Sequence, residues 1–459
     1  MSQEVKDGPS PVSANDGSAP ARDKIDDCVH CGFCLPHCPT YQNWGEEMDS
    51  PRGRIDLMRG LRDRRIRLTD TTVAHFDKCL GCMACVTACP SGVKYDQLIE
   101  ETRATIEREH PRTGFDRFHR GLIFALFPYP RRLRVMAALL LVYAWTGLRW
   151  LVRAVGVLRL LPRRLAELEA LQPPLTLHTV TSTLPDRVTA AGERRATVAL
   201  VAGCVQRVFF PGVNEATLRV LSAEGCEVYV PRGQGCCGAL SMHAGREHES
   251  LDFARALIEH FERKTLDAIV VNAAGCGSHL KDYGRLFERD PLMAARAKAF
   301  SAKVRDINEY LAALAPRAVR HALPMTVAYH DACHLAHAQR IRAQPRALLE
   351  SIPELELREI PDGEQCCGSA GIYNLVEPAS AQQIGERKVD NVLGVKADLL
   401  ASANPGCTLQ IEKILRQRGL AMPAAHPIEI LDASLRGASV ESLTMGPDSP
   451  KAKAPPSSD

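Results

Sequence analysis

The stretch Cys28-Val-His-Cys31-Gly-Phe-Cys34-Leu-Pro-His-Cys38-Pro39 places four cysteines within eleven residues and closes on a proline. A structural zinc site usually takes two C-x2-C pairs set roughly a dozen or more residues apart, which converge as a tetrahedron. Here three cysteines share one short loop, the arrangement that reaches three corners of a cubane. In the C-x2-C-x2-C-x3-C-P run of bacterial ferredoxins the fourth cysteine serves the other cluster, so a second copy is required. It stands at Cys79-Leu-Gly-Cys82-Met-Ala-Cys85-Val-Thr-Ala-Cys89-Pro90, with the same spacing and the same closing proline. The expected ligand sets are therefore crossed. Cys28, Cys31, Cys34 and Cys89 would hold one [4Fe–4S] cluster, and Cys79, Cys82, Cys85 and Cys38 the other.

At 459 residues the chain exceeds one ordinary core. Its composition, 45% apolar and 24% charged, is that of a folded soluble protein, and a net charge of +3 implies no general attraction to nucleic acid. The odd count of 17 cysteines, the cluster spacing and a polar first stretch without a signal-peptide pattern point to a reducing cytoplasm rather than to disulfides. Residues 1–24 and 441–459 read as disordered tails.

From Arg117 to Ala166 the chain carries ten arginines and no lysine, aspartate or glutamate. Within it, Val135 to Leu148 is uncharged for fourteen residues. Such a helix rises about 21 Å, short of a hydrocarbon core of about 30 Å, so it is not expected to span a bilayer. Two roles remain for this arm: packing on another subunit or domain, or lying on the anionic inner face of the cell membrane.

The second half repeats. Strand-like runs Thr197–Ala202, Glu227–Pro231 and Ala268–Ala273 lead to Cys204, Cys236-Cys237-Gly238 and Cys276. Met325–His330, Leu355–Ile360 and Ala397–Ser402 lead in the same way to Cys333, Cys366-Cys367-Gly368 and Cys407. Matching cysteines are offset by 129, 130, 130 and 131 residues, which is the mark of an internal duplication. Amphipathic stretches such as Asn214–Ser222 and Ser250–Glu262 alternate with the strands, so each unit reads as α/β. Its cysteines fall beyond the carboxyl ends of the strands, where open α/β sheets build their sites. Adjacent thiolates can diverge toward two metal atoms, and the following glycine admits a close backbone approach. Cys226 has no counterpart and reads as a core residue. Gly233 to Gly238 fits G-x-G-x-x-G, but the second unit lacks the middle glycine and keeps both cysteines, so metal rather than a dinucleotide explains the motif. No other nucleotide fingerprint is present, which places any flavin on another chain. His330, His334 and His337, spaced to share a helix face around Cys333, are expected to pack or to orient ligands rather than to ligate.

The fold class expected from these patterns is α+β multidomain, with an N-terminal α-helical ferredoxin-type domain at 25–110 and a basic, apolar helical linker at 111–195. Duplicated α/β cysteine-rich units follow at 196–320 and 321–440.

Two ferredoxin runs followed by two Cys-Cys-Gly units, together with Asp49-Ser-Pro-Arg-Gly-Arg-Ile55, resemble the glycolate oxidase iron–sulfur subunit family over roughly residues 25–435. The resemblance implies a subunit of an oxidoreductase complex with no substrate-oxidising site of its own. FAD-containing partner subunits oxidise glycolate to glyoxylate, and the iron–sulfur subunit passes the electrons toward the respiratory chain, on the membrane or quinone side. Related iron–sulfur subunits of lactate and glycerol-3-phosphate dehydrogenases, and heterodisulfide-reductase-like proteins, are the alternatives. Thiol–disulfide reduction and redox sensing are rival activities. Heterodisulfide reductase units carry a fifth cysteine in C-x-x-C, whereas this chain reads Cys276-Gly-Ser-His279 and Cys407-Thr-Leu-Gln410. Each unit thus retains four thiols, Cys204, Cys236, Cys237 and Cys276 or Cys333, Cys366, Cys367 and Cys407, for an iron–sulfur centre, a zinc ion or a vestigial site. Arg52, Arg54, Arg59, Arg62, Arg64, Arg65 and Arg67 form a basic segment between the two runs. Most of it is expected to be a solvated helix face, with stabilisation of reduced clusters or docking of a flavoprotein as the other roles.

Overall fold

Short parallel strands with apolar side chains on both faces demand helices above and below them, and the chain supplies these twice. The structure, a computed structural model, describes residues 22–156, 163–173 and 175–444. The first unit holds β1 (Arg187–Val188), β2 (Ala196–Val201), β3 (Cys226–Tyr229), β4 (Ala268–Val271) and β5 (Val304–Asp306), in the order β1-β3-β2-β4-β5. All pairs are parallel except β1 with β3. The second unit holds β6 (Met325–His330), β7 (Leu355–Glu359), β8 (Leu399–Ser402) and β9 (Ala424–Ala425), in the order β7-β6-β8-β9 and entirely parallel. With β1 set aside, the two orders are the same, as a duplication requires.

The units pack reciprocally. Helix Pro211–Ala223 of unit 1 lies on helix Pro427–Leu435 of unit 2, while Ile307–Ala313 of unit 1 lies on Ala343–Glu350 of unit 2. In each pairing a helix early in one unit meets the last helix of the other, which is the contact pattern of a twofold. Val198, Leu200 and Val270 join Val327, Tyr329 and Leu399 in one shared core. Arg219 donates two hydrogen bonds to Asp432 across the seam, at 2.9 and 2.8 Å. Cys226 is fully buried in this core, its thiol 3.6 Å from the Tyr310 hydroxyl and apart from the other cysteines.

The N-terminal head is helical, as expected. Ser50 caps helix Pro51–Arg62 by accepting from the Gly53 amide at 3.0 Å, and Pro51 fills the first turn. Helix Tyr95–Glu109 buries Tyr95, Leu98, Ile99 and Ile106 against Ile25, Ile55, Met58 and Phe76. Most of both tail segments lies outside the described residues; at their inner ends, Arg22–Asp26 and Glu441–Thr444 are helical.

The arm forms helices Gly114–Leu126, Pro130–Trp145 and Leu148–Ala154. No helix among the described residues is long and apolar enough to cross a membrane. Past Arg131, Arg132 and Arg134 at its start, helix Pro130–Trp145 is uncharged on every face. Leu133, Ala137 and Leu141, at i, i+4 and i+8, are buried, the first two beside Val205, Val208 and Phe209 of unit 1. Val135, Leu139, Val142 and Trp145, together with Trp150 and Val155 beyond them, are more than half exposed.

Candidate metal centres

Two hollows in the head collect its eight cysteines. One is lined by Cys28, Cys31, Cys34, Cys85 and Cys89, the other by Cys38, Cys79, Cys82 and Cys85. Cys89 thus meets the first run and Cys38 the second, with Cys85 touching both hollows. The fold explains how: Cys38 sits at the N-cap of helix Pro39–Trp44, and Cys89 follows the short helix Ala84–Thr87. Burial pushes the Cys34 thiol up to about 11 and drives Cys82 and Cys85 well above the ordinary thiol range, with neighbouring thiols adding to the effect. Apposed thiols of this kind suit multivalent metal, which compensates several thiolates at once.

One thiol behaves differently. Burial raises Cys79, but the guanidiniums of Arg54 and Arg103 outweigh it and hold the thiol below its ordinary value. Arg54, 1% exposed, donates to the carbonyls of His75 and Asp49 at 2.6 and 2.5 Å and to the Thr40 hydroxyl at 3.2 Å. It also pairs with the fully buried Asp49 at 3.6 Å. The expectation of a solvated arginine face therefore needs division. Arg64, Arg65 and Arg67 are exposed, Arg59 and Arg62 pair with Asp26 at the surface, and Arg54 is a buried cation beside the second hollow.

The cysteines of the duplicated half lie three, seven and five residues past the strand ends in both units. The Sγ atoms of Cys204 and Cys236 are 3.7 Å apart. Hydrogen bonding to Cys204 and Cys237, and burial, raise the Cys236 thiol, while Cys237 is held well down by bonds from Cys236 and Cys276. In unit 2, hydrogen bonding to Cys366 and burial raise Cys333. Glycine closes each Cys-Cys pair for a visible reason. Gly238 and Gly368 stand at φ +87° and +86°, and a Cβ there would press on Ser250 of helix Glu247–Phe261 and Ala381 of helix Pro378–Gly394.

All eight of these cysteines line one cavity of about 440 Å³. Its opposite wall is apolar and comes partly from the arm, through Leu122, Leu126, Phe127, Leu133, Met136 and Leu140. His243 and His334 meet at its edge with ring centroids 5.0 Å apart, and among the described residues the Nε2 atoms of both lack a hydrogen-bond partner.

The head docks across both units. Cys82 shares a buried apolar cluster with Cys333 and Cys366, closed by Leu80, Tyr373 and Ile384. Thr87 bonds His337 at 2.8 Å, Trp44 donates to Gln383 at 2.9 Å, and Arg285 reaches Glu100 at 3.0 Å. Arg103 donates to the His243 carbonyl at 3.0 Å and also to the Cys79 carbonyl, joining the second hollow to unit 1.

The histidines depart from the expected helix face. His330 is the last residue of β6, while His334 and His337 lie on a π-helical turn, His334–Ala338. His337 is held by Thr87 and the Glu364 carbonyl, and His334 lies 3.5 Å from the Cys333 thiol through Nδ1. His330 is fully buried with both ring nitrogens unpartnered among the described residues, and one of its nitrogens lies within 4.8 Å of the Cys367 and Cys407 thiols. Lys388, 2% exposed, stands by the same thiols and donates to the Asp362 and Gly363 carbonyls at 2.8 and 3.0 Å. Neither Lys388 nor Arg103 carries a sequence signal. His330 does: matched at the offset of 129, it replaces the apolar Val201.

Known families match the chain in this order. A 4Fe-4S dicluster domain matches residues 24–93, the linker region of the glycolate oxidase iron-sulfur subunit matches 115–172, and a cysteine-rich domain matches twice, at 198–281 and 327–412. A probable glycolate oxidase iron-sulfur subunit of Bacillus subtilis (strain 168) is 38% identical over 410 residues, 88% of this chain and 92% of that one. The glycolate oxidase iron-sulfur subunit of Escherichia coli (strain K12) is 32% identical over 418 residues, 89% and 93% of the two chains. Lactate utilization protein A of an Exiguobacterium species is 31% identical over 242 residues, 52% of this chain and 99% of that protein.

Proposed function

Because the chain belongs to the family of glycolate oxidase iron–sulfur subunits, we propose that it carries electrons from an FAD-containing partner that oxidises glycolate to an apolar acceptor at the cavity between its two cysteine-rich units. The observation that supports this route is the buried contact of Cys82 with Cys333 and Cys366, which sets the thiols of the head against those of unit 2. Entry is at the first hollow, where Cys31 is exposed and Val29 and Phe33 stand 68% and 64% exposed beside it, an apolar rim for a flavoprotein. Two [4Fe–4S] clusters in the head divide the electron pair of a reduced flavin into single steps. Each four-cysteine group of the units holds metal, and the apolar wall opposite them suits a quinone.

The test uses the chain joined to its flavoprotein partner. Glycolate should then reduce a quinone, and the chain alone should not oxidise glycolate. Glycolate oxidation by this chain without a partner overturns the reading, as does quinone reduction that persists after the clusters are removed.

The arm supplies the membrane contact. Its outer apolar face and its arginines suit adsorption to an anionic surface, with Trp145 and Trp150 at the headgroup level. Binding to anionic vesicles should fall steeply as salt is raised to about 1 M, where the screening length shrinks to about 3 Å. Vesicle binding that is indifferent to salt and yields only to detergent would contradict this.

A further inference from the structure

We infer that His330 is a metal ligand, binding through a ring nitrogen together with the thiolates of Cys367 and Cys407, so that unit 2 holds a mixed sulfur and nitrogen site for a divalent ion of the zinc class. The inference rests on the reading that the units hold metal, and it assigns unit 2 a ligand that unit 1 lacks.

Three observations carry it. A fully buried imidazole with neither nitrogen hydrogen-bonded is an anomaly, since buried polar groups find partners. The duplication shows that the position does not need one. β2 and β6 align end to end, and where β6 finishes with His330, β2 finishes with Val201, 1% exposed. Packing alone is thus served by valine, and something else has to occupy the nitrogens. The third observation is distance. One ring nitrogen and the Cys367 and Cys407 sulfurs all lie within 4.8 Å of one another. The edge of a zinc tetrahedron with sulfur at about 2.3 Å is about 3.8 Å, so a small closure brings the three atoms onto one ion. Cys366, in contact with Cys367, is the nearest further thiol for the fourth corner.

Unit 1 offers no equivalent. Its four thiols have Val201 at the strand end, and the buried Lys388 of unit 2 is matched by the apolar Leu257 and Ile258. The duplicates have therefore diverged in charge and in ligand set around the same thiol geometry. A borderline ion such as zinc accepts this combination of thiolate and imidazole.

The full chain, prepared anaerobically with zinc and iron both supplied, tests this by X-ray absorption at the zinc edge and by metal analysis. The expected first shell is sulfur at about 2.3 Å with one nitrogen at about 2.0–2.1 Å carrying the outer-shell signature of imidazole. H330V, which installs the residue of unit 1, should remove the nitrogen and weaken zinc binding at least about 100-fold. H330C should retain zinc in an all-sulfur shell. Unchanged visible absorption of the head clusters in both variants shows that the chain remains folded. Zinc without nitrogen in its shell overturns the inference, as does full zinc occupancy in H330V or an iron–sulfur signal from unit 2 in place of zinc. C407S separates the two levels. If it abolishes metal while H330V does not, only the histidine assignment fails; if neither changes the metal content, the reading that unit 2 binds metal fails with it.

Discussion

Replacing Cys38 by alanine is expected to remove one cluster and leave the other. Iron in the head should fall by about half, from about eight to about four atoms per chain, and the lost cluster should be the one held mainly by the second run. Cys38 belongs to the first run in sequence, but its thiol is buried beside Thr40, at 3.1 Å, and lines the second hollow with Cys79 and Cys82. The kinetic result should be asymmetric as well. In the complex, glycolate should still reduce the flavin at its normal rate, while quinone reduction falls to background because the step to the acceptor in the cavity starts at the second hollow. Iron analysis, electron paramagnetic resonance and stopped-flow absorbance report the three effects separately. Loss of the first-run cluster instead would show that the ligands are not crossed.

Replacing Arg54 by methionine should be the most destabilising change at any of the seven arginines between the two runs. Methionine fills most of the volume but leaves the His75 carbonyl without the Arg54 donor, leaves the Asp49 carbonyl with the Thr40 hydroxyl at 2.6 Å, and takes one partner from the fully buried Asp49 carboxylate. Removing one member of a buried ion pair costs about 3–5 kcal/mol. His75 and Lys78, each 2.8 Å from the Asp49 carboxylate, keep that charge compensated and place the cost toward the lower end. The lost guanidinium also faces the Cys79 and Cys38 thiols, so the cluster there should become harder to reduce. Denaturant unfolding of the holo chain measures the first effect and a redox titration the second. Arg65, 61% exposed and paired only with its neighbour Asp63, is the contrast, and R65M should change stability by less than about 0.5 kcal/mol.

These two arginines also mark how far sequence reasoning reaches. Repeated motifs are local in the chain, so the two ferredoxin runs, the strand positions and the duplicated Cys-Cys-Gly turns were legible from spacing alone. The structure reproduces the strands to within one or two residues and keeps the strand order of unit 1 in unit 2. Arg54 and Arg65 look alike in composition, and only the path of helix Pro51–Arg62 over the head buries one of them. The spacing of His330, His334 and His337 suits one helix face, yet the chain changes from strand to π-turn between the first and the other two. The contact of Cys82 with Cys333 and Cys366 joins residues some 250 positions or more apart, and no periodicity encodes it. The apolar arm was legible as helical, and its faces differ: the inner one lies on unit 1 and the outer one is exposed.

The sealed seam between head and unit 2 also sets an order of events during biogenesis. Cys82, Cys333 and Cys366 are each less than a tenth exposed once the head is docked, and Tyr373 and Ile384 close over them. A carrier of iron and sulfide does not reach thiols buried in that seam, so a cluster held in the second hollow is expected to be built while the head is still detached and the chain is open. Docking is then expected to be the last step of maturation, the one that closes the chain over the cofactor. An empty chain that has already closed should accept iron and sulfide only as fast as its head lets go.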